Sequence, residues 1–521
     1  MTLSDRHQCI PLPLFRPILT VFLILLLPIL GLTSPIGAQE MAEIPTVRRI
    51  TPDGREVLQL DLETALRFAL DRSWRVERSR LELLRDQYNL QASRAALKSN
   101  AKLSFTLPDF DQSIKEITDP STGDPIILST KGARYSTTLS IRQPLPTDGV
   151  VSLNGVLNRT QDDLIKYTPD KKTYYARTFL KFDQPILQPN RIQMNIRRAE
   201  LQLEETELGA RDEQFRIVAE VSRSYFDLFD WTVQADLAEQ RQARMERIYA
   251  TGQRLLEEGV LAEVSMLQLE VERGAALDRA STATGRLARE KADFKQQIGL
   301  SLDELIELDP AIDWKPASID EQAVLSQALV ERSDLLRTYM RRERQDMDIR
   351  ERRAEGSLTG SVSLTLGLEG RGGHMDDFYD ALGDPDQARG AAVNFSLPLW
   401  DWGRNRARIL SKQTEIDQNY LTEEETKRTI QREVAGVVAR VREAEERLDV
   451  LQRSTEAARR SFQLTFEQFE AGEIGVQDLL LTESRFAEAR SSFLRAYLDY
   501  RRALIDLDGV SISGGYGRSR F

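Results

Sequence analysis

Two clusters of carboxylates are this chain's main chemical resource. Glu257, Glu258 and Glu263 surround Gly259, and Glu470, Glu473, Asp478 and Glu483 surround Gly472. Held close around a narrow passage, such groups repel one another and favour cations. On the faces of separate helices they are ordinary solvated charges. Other chemistry has little material. His7 sits in an N-terminal leader and His374 in a loop, so no histidine pair is set for a metal or a catalytic triad. Gly370 to Gly373 is a flexible loop without a phosphate-binding context. No cofactor and no enzymatic activity are expected.

The elements that must position those carboxylates come in duplicate. Gln184-Pro185-Ile186 reappears as Leu397-Pro398-Leu399, with Pro185 and Pro398 spaced by 213 residues. Gly259 and Gly472 lie 74 residues beyond each proline, and Met266-Leu267 and Leu479-Leu480 follow at one register. A long period held without gaps is the mark of a repeat architecture. No proline occurs between Pro189 and Pro310, or after Pro398. These stretches are rich in residues that lose little on entering a helix. Near-continuous helices are predicted over 190–257 and 404–470, each about 100 Å long at 1.5 Å per residue. Ile217, Val221, Tyr225 and Leu228 in one, and Ile430, Val434, Val437, Val441, Ala444 and Leu448 in the other, form narrow apolar stripes suited to a helix–helix seam. The charges beside them, Arg440, Arg442, Glu443, Glu445, Glu446 and Arg447, are mostly assigned to a solvated surface. Each glycine ends its helix and the chain reverses into a second one, near 265–297 and 478–507.

Arg6 and Arg16 precede an apolar run from Ile18 to Leu32, and Ile36-Gly37-Ala38 offers a cleavage site. That is a secretory leader, with an uncleaved anchor as the alternative. The only cysteine, Cys9, lies inside it. Removing 1–38 leaves 69 Lys+Arg against 81 Asp+Glu. That balance argues against nucleic acid as a partner, which calls for a basic footprint. No later stretch has a transmembrane helix's hydropathy, so any membrane crossing falls to β-strands.

Ahead of each long helix the apolar period shortens to two. Tyr135, Thr137, Leu139 and Ile141 alternate with small polar residues, as do Leu358, Val362, Leu364, Leu366 and Leu368. Strands are predicted near 102–108, 134–144, 149–160 and 174–184 in the first copy, and near 358–369 and 389–398 in the second. Their length and two-faced pattern suit a membrane barrel wall. A half-buried sheet in a soluble protein shows the same alternation. Helices that enter and leave a barrel on one side require an even number of strands, and both counts are even. The loops at 109–133 and 374–386 would then face outward. A further helix opens each copy, at Leu60-Asp61-Leu62-Glu63 and Ile319-Asp320-Glu321-Gln322, offset by 259. The excess of 46 residues over the 213 offset falls in the first copy's β region, as an extra hairpin near 134–160 that contains the strand-like stretch Val151 to Thr160.

The junction Leu397-Pro398-Leu399-Trp400-Asp401-Trp402-Gly403-Arg404-Asn405-Arg406 and the tip Phe469-Glu470-Ala471-Gly472 through Val476-Gln477-Asp478-Leu479-Leu480 resemble those of the TolC-like outer-membrane efflux and secretion channels. The resemblance implies a mainly α fold with a membrane β-barrel, built from a duplicated unit of strands plus long helical hairpin. It also implies a homotrimer in the Gram-negative outer membrane, with a long periplasmic portion. Its members are non-enzymatic exit ducts of tripartite efflux pumps or type I secretion systems. They work with a periplasmic adaptor and an inner-membrane pump or ABC transporter, and they usually have four strands per chain. By this resemblance Asp478, with Glu473 and Glu263, is a candidate for a selective gate. Leu481 replaces a second family aspartate, and Ser265 stands at the first copy's equivalent of Asp478. Gly259, Val260, Gly472 and Glu473 are candidates for docking the adaptor. Trp400 and Trp402 are candidates for a membrane-interface anchor in outer-membrane lipid.

The domain boundaries that follow are a leader at 1–38, an N-terminal periplasmic segment at 39–59, repeats at 60–309 and 310–508, and a flexible tail at 509–521. A periplasmic adaptor or a coiled-coil scaffold are the alternatives. The adaptor would carry one long hairpin, and the scaffold leaves the β alternation unexplained.

Overall fold

The computed structural model describes residues 48–50, 56–118, 122–164, 168–310, 312, 314–374, 376, 380 and 383–511. The leader and residues 512–521 of the expected tail lie outside the described residues. Asn190 and its 213-residue counterpart Gly403 each start a helix of the same length: α3, Arg191–Glu257, and α7, Arg404–Glu470, have 67 residues apiece. The Asn190 side chain accepts the N–H of Gln193 at 3.0 Å, satisfying one free donor of α3's first turn. Each helix reverses at its glycine into α4, Glu263–Gln297, or α8, Val476–Ser511. Helix α8 thus includes residues 509–511, which were expected in the tail.

The apolar stripes are buried as their spacing requires: Ile217, Val221 and Leu228 on α3, and Ile430, Val434, Val437, Val441, Ala444 and Leu448 on α7. The charges beside the α7 stripe are less idle than expected. Arg440 reaches Asp506 at 3.6 Å, Arg442 reaches Glu321 at 3.7 Å and Arg447 reaches Asp499 at 3.3 Å. The arginines are long enough to cross a helix seam while their heads stay wet.

The helix that opens each repeat is in fact two. The first repeat has α1, Leu62–Arg72, and α2, Trp74–Ala95; the second has α5, Glu321–Glu331, and α6, Ser333–Glu355. Extended backbone at Ser73 and Arg332 makes the breaks. Ser73 Oγ accepts the N–H of Arg75 at 3.2 Å and restarts the helix as its cap.

Two sheets complete the fold. A small one, in the order β1-β2-β7, joins Arg48–Ile50, Glu56–Gln59 and Leu305–Glu307, tying the N-terminal segment to the end of the first repeat. The large one has six strands: β3, Asn100–Thr118; β4, Pro125–Pro144; β5, Val150–Leu164; β6, Thr168–Ile186; β8, Thr359–Gly372; β9, Asp386–Ser396. All neighbours are antiparallel, in the order β3-β4-β5-β6-β8-β9. The predicted strands are all present. The expected loop at 109–133 is corrected: β3 and β4 pair as far as Thr118 and Pro125, leaving only residues 119–124 as the connection. Alternation does not reveal this, because a ribbon paired through its backbone need not keep one apolar face. Of the expected loop at 374–386, Asp386 is the first residue of β9, and several others lie outside the described residues.

Candidate functional site

Register gives the large sheet two unlike faces. Leu103, Leu139, Gly155, Thr178 and Leu368 form one cross-strand row; Ile141, Leu153, Leu180 and Leu366 form the next. Phe182, Leu364 and Ala391 continue the same face, as do Val362 and Val393. Most of these large side chains are exposed, Leu366 to 56% and Val393 to 57%. One end of this face carries Tyr135, Arg159 and Tyr174 in a row, with the Arg159 guanidinium 5.4 Å and 6.0 Å from the two ring centres. The opposite face holds Lys102, Ser140, Asn154 and Arg142, Ser152, Lys181. There Ser140 Oγ donates to Asn154 Oδ1 at 2.7 Å, and Arg177 pairs with Glu369 at 2.8 Å. A sheet apolar on one side and wet on the other, with none of the described residues covering the apolar side, has the wall pattern of a transmembrane barrel.

The helices also form a wall. Toward the glycine tips the packing order is α4–α3–α8–α7; toward the sheet it is α2–α3–α6–α7. The edges carry exposed apolar or small residues at seam spacing. They are Val264, Leu267, Val271 and Gly274 on α4, Trp74, Leu81 and Tyr88 on α2, and Val450, Ala457, Ser461 and Leu464 on α7. Both walls therefore start with first-repeat elements and end with second-repeat ones.

The two tips share one construction. At the first, Gly259 N–H donates to Leu256 and Val260 N–H to Leu255, at 3.0 and 2.9 Å; at the second, Gly472 N–H donates to Phe469 and Glu473 N–H to Gln468, at 3.0 and 2.9 Å. These are paired Schellman closures, and each needs a left-handed residue. Gly259 and Gly472 supply it, at φ +76° and +74°. A Cβ on Gly259 would meet nothing, whereas one on Gly472 would lie 2.9 Å from Val260 Cγ1. Two docking candidates, Val260 and Gly472, therefore touch each other. Beneath the tips Met245, Ile248, Leu269, Phe469 and Leu479 form a buried cluster that all four helices share.

Of the gate candidates, Asp478, Glu473 and Glu263 are exposed. Asp478 and Glu263 stand in the first turns of α8 and α4, where a carboxylate is favoured by the helix dipole. Among the described residues, no three His, Cys, Asp or Glu side chains are grouped to hold a metal. Glu483 is corrected: it is 1% exposed and faces the hairpin seam, with Arg241 at 3.0 Å and Arg244 at 3.2 Å. Arg244 also lies over the Phe486 ring, and Arg490 donates to Gln240 Oε1 at 2.7 Å. This bridge joins α3 to α8 across the two repeats. Its only sequence trace is the Arg241-x-x-Arg244 spacing, which puts both arginines on one helix face.

At the sheet-to-helix junction Trp400 and Trp402 are 76% and 90% exposed, with ring centres 5.3 Å apart. Trp402 takes φ +57°, a costly conformation for a bulky residue. Asp401 holds the turn by accepting the N–H groups of Asn405 and Gly403 at 2.8 and 2.9 Å. Those donors keep its carboxyl below the usual range. Among the described residues no helix is long and apolar enough to cross a membrane.

Residues 324–511 match the family model described as outer membrane efflux protein. The match covers most of the second repeat. No curated protein sequence matches the chain. Among solved structures the outer-membrane channel OprN superposes with a TM-score of 0.61 at 17% identity, covering 87% of this chain and 90% of its own. The outer membrane protein VceC from Vibrio cholerae gives 0.61 at 13% identity, covering 88% and 97%. The Campylobacter jejuni CmeC outer membrane channel gives 0.60 at 14%, covering 87% and 86%. At such identities the likeness speaks to fold, and the fold is that of TolC-like outer-membrane channels.

Proposed function

We propose that three copies of this chain close into a Gram-negative outer-membrane channel. Its helices extend the duct through the periplasm to an adaptor and an inner-membrane pump or ABC transporter. The observation that carries this reading is the pair of open walls with unlike edges. Strand β3 runs opposite to β9, so β9 of one copy can extend the antiparallel ladder onto β3 of the next. Free strand edges are not tolerated in lipid, nor bare apolar helix edges in water, and ring closure removes both. The α4 and α2 stripes meet α7 by the same rotation. The number three comes from the family resemblance.

In this reading the bare sheet face meets lipid, the wet face lines the lumen, and Trp400 and Trp402 sit at the periplasmic interface. Asp478, Glu473 and Glu263 approach the axis where the tips converge. The exposed tip residues Gly259, Val260, Gly472 and Glu473 meet the adaptor. Fractionation tests the whole: heat-resistant trimers are expected in the outer membrane, and a soluble periplasmic monomer refutes the channel. Asp478→Asn should lower cation selectivity in single-channel recordings; unchanged selectivity removes Asp478 from the gate.

A further inference from the structure

We infer that the β3–β4 hairpin is an added pair of staves in the membrane wall, giving the outer mouth the width of a porin. The inference rests on the ring reading above and concerns what such a ring passes. The 213-residue offset maps β9 onto residues 173–183, inside β6, and β8 onto residues 146–159, over β5. The extra hairpin expected near 134–160 is thereby corrected: β5 has a counterpart, and strands β3 and β4 have none. They span residues 100–144, which accounts for nearly all of the 46-residue excess of the first copy.

The hairpin belongs to the wall for two independent reasons. First, β5 has no edge to offer a neighbouring copy. It pairs with β6 on one side, and with β4 on the other from Val150–Pro144 to Leu164–Thr130. A neighbour's β9 can therefore meet only β3. Second, the hairpin is two-faced in phase with the rest of the sheet. Leu103, Phe105, Leu139 and Ile141 extend the apolar rows, while Lys102, Ser104, Ser140 and Arg142 extend the wet ones. A hairpin splayed away from the wall would put Phe105 and Leu107, 66% and 79% exposed, into water.

Six strands per chain make eighteen in a three-fold ring. With strands about 4.8 Å apart and tilted about 40°, the wall radius is about 18 Å, against about 12 Å for twelve strands. Below the sheet each chain offers four helices, α2, α3, α6 and α7. Twelve helices at about 9 Å spacing enclose a radius of about 17 Å. The added staves thus bring the mouth up to the width of the tunnel, where a twelve-stranded barrel would form a neck. The mouth does not sieve; size selection falls to the periplasmic tips, and the cargo class that benefits is bulky, hydrated and polymer-sized.

Electron cryomicroscopy of the full chain in lipid nanodiscs tests this by counting strands. Six per subunit are expected in the wall, with β3 against the neighbour's β9. A ring with four per subunit, the hairpin lying outside the wall or plugging the lumen, overturns the inference and leaves the channel standing. Absence of any ring refutes the channel and this inference with it. A second measurement uses polyethylene glycols added from the extracellular side of a planar bilayer. Deleting residues 100–144 and rejoining α2 to β5 should lower the size cut-off for polymer entry by about a third, following the ratio of radii. An unchanged cut-off in an assembled variant overturns the inference.

Discussion

Replacing Glu483 by glutamine should loosen the helical tips without disturbing the sheet. The Glu483 carboxylate is 1% exposed and receives a guanidinium on each oxygen, Arg241 at 3.0 Å and Arg244 at 3.2 Å. Glutamine keeps the shape but loses the charge, and strands two arginine heads in the seam between α3 and α8. Removing one partner of a fully buried pair costs about 3–5 kcal/mol. Here the arginine side chains are 22% and 11% exposed, so water recovers part of the loss. A cost of about 2–3 kcal/mol is a fair reduction of that range. It falls on local separation of the two hairpins, because the bridge has no contact with the strands. Amide hydrogen exchange reads it directly. Protection over 245–255 and 479–486 should drop by about 30- to 150-fold at 1.4 kcal/mol per decade, while protection in β4–β6 stays put. Protection at the tips within about threefold of the parent would refute the reasoning. So would an equal loss in the strands, which would mean that the bridge stabilises the whole chain rather than the seam. Arg244→Gln in the Glu483→Gln background should cost less than the two single changes summed, since the second removes an already stranded charge.

The two faces of the sheet can be told apart by charge. Leu366→Lys, on the apolar face, should cost about 2–4 kcal/mol of membrane stability, and Thr365→Lys, on the wet face, close to none; refolding into lipid at rising denaturant measures both, and equal costs would contradict the assigned faces. Gly259→Ala should cost about 1–2 kcal/mol for its left-handed backbone, and Gly472→Ala more, because its Cβ would also press on Val260 at 2.9 Å; thermal midpoints in that order are expected. Asp86 is buried, with Arg85 and Thr206 donating to it, and the Arg85 hydrogen bond, followed by that of Thr206, holds its carboxyl down to about 2. A depressed folded value contributes stability that is full above the unfolded value near 3.8 and fades as pH falls toward 2. Acid titration of unfolding should show that loss, about 1–2 kcal/mol, and Asp86→Asn should remove it.

Much of the architecture is written locally and is therefore readable. The proline-free stretches and the two glycines bound α3 and α7 closely, because helix starts and stops depend on neighbours in sequence. The two-faced strands are equally plain from the alternation of Val362, Leu364, Leu366 and Leu368 with Ser361, Ser363, Thr365 and Gly367. The ends of β3 and β4 are hidden because Asp109, Phe110 and Asp111 break the alternation while the backbone pairing runs on. The breaks at Ser73 and Arg332 are hidden because one extended residue leaves the apolar period nearly intact. Glu483 reads from sequence as one more tip carboxylate, since the arginine that answers it stands 239 residues earlier in the chain. The gate and docking residues remain propositions about an assembly, and their meaning depends on groups that other copies bring.

Strand direction constrains how such a mouth can change over evolutionary time. A hairpin departs from the helical side and comes back to it, so its gain leaves every downstream helix pointing as before. A single strand would turn the rest of the molecule upside down. Aperture can therefore grow only in two-strand increments, and it can do so while the helical hairpins and their tips stay as they were.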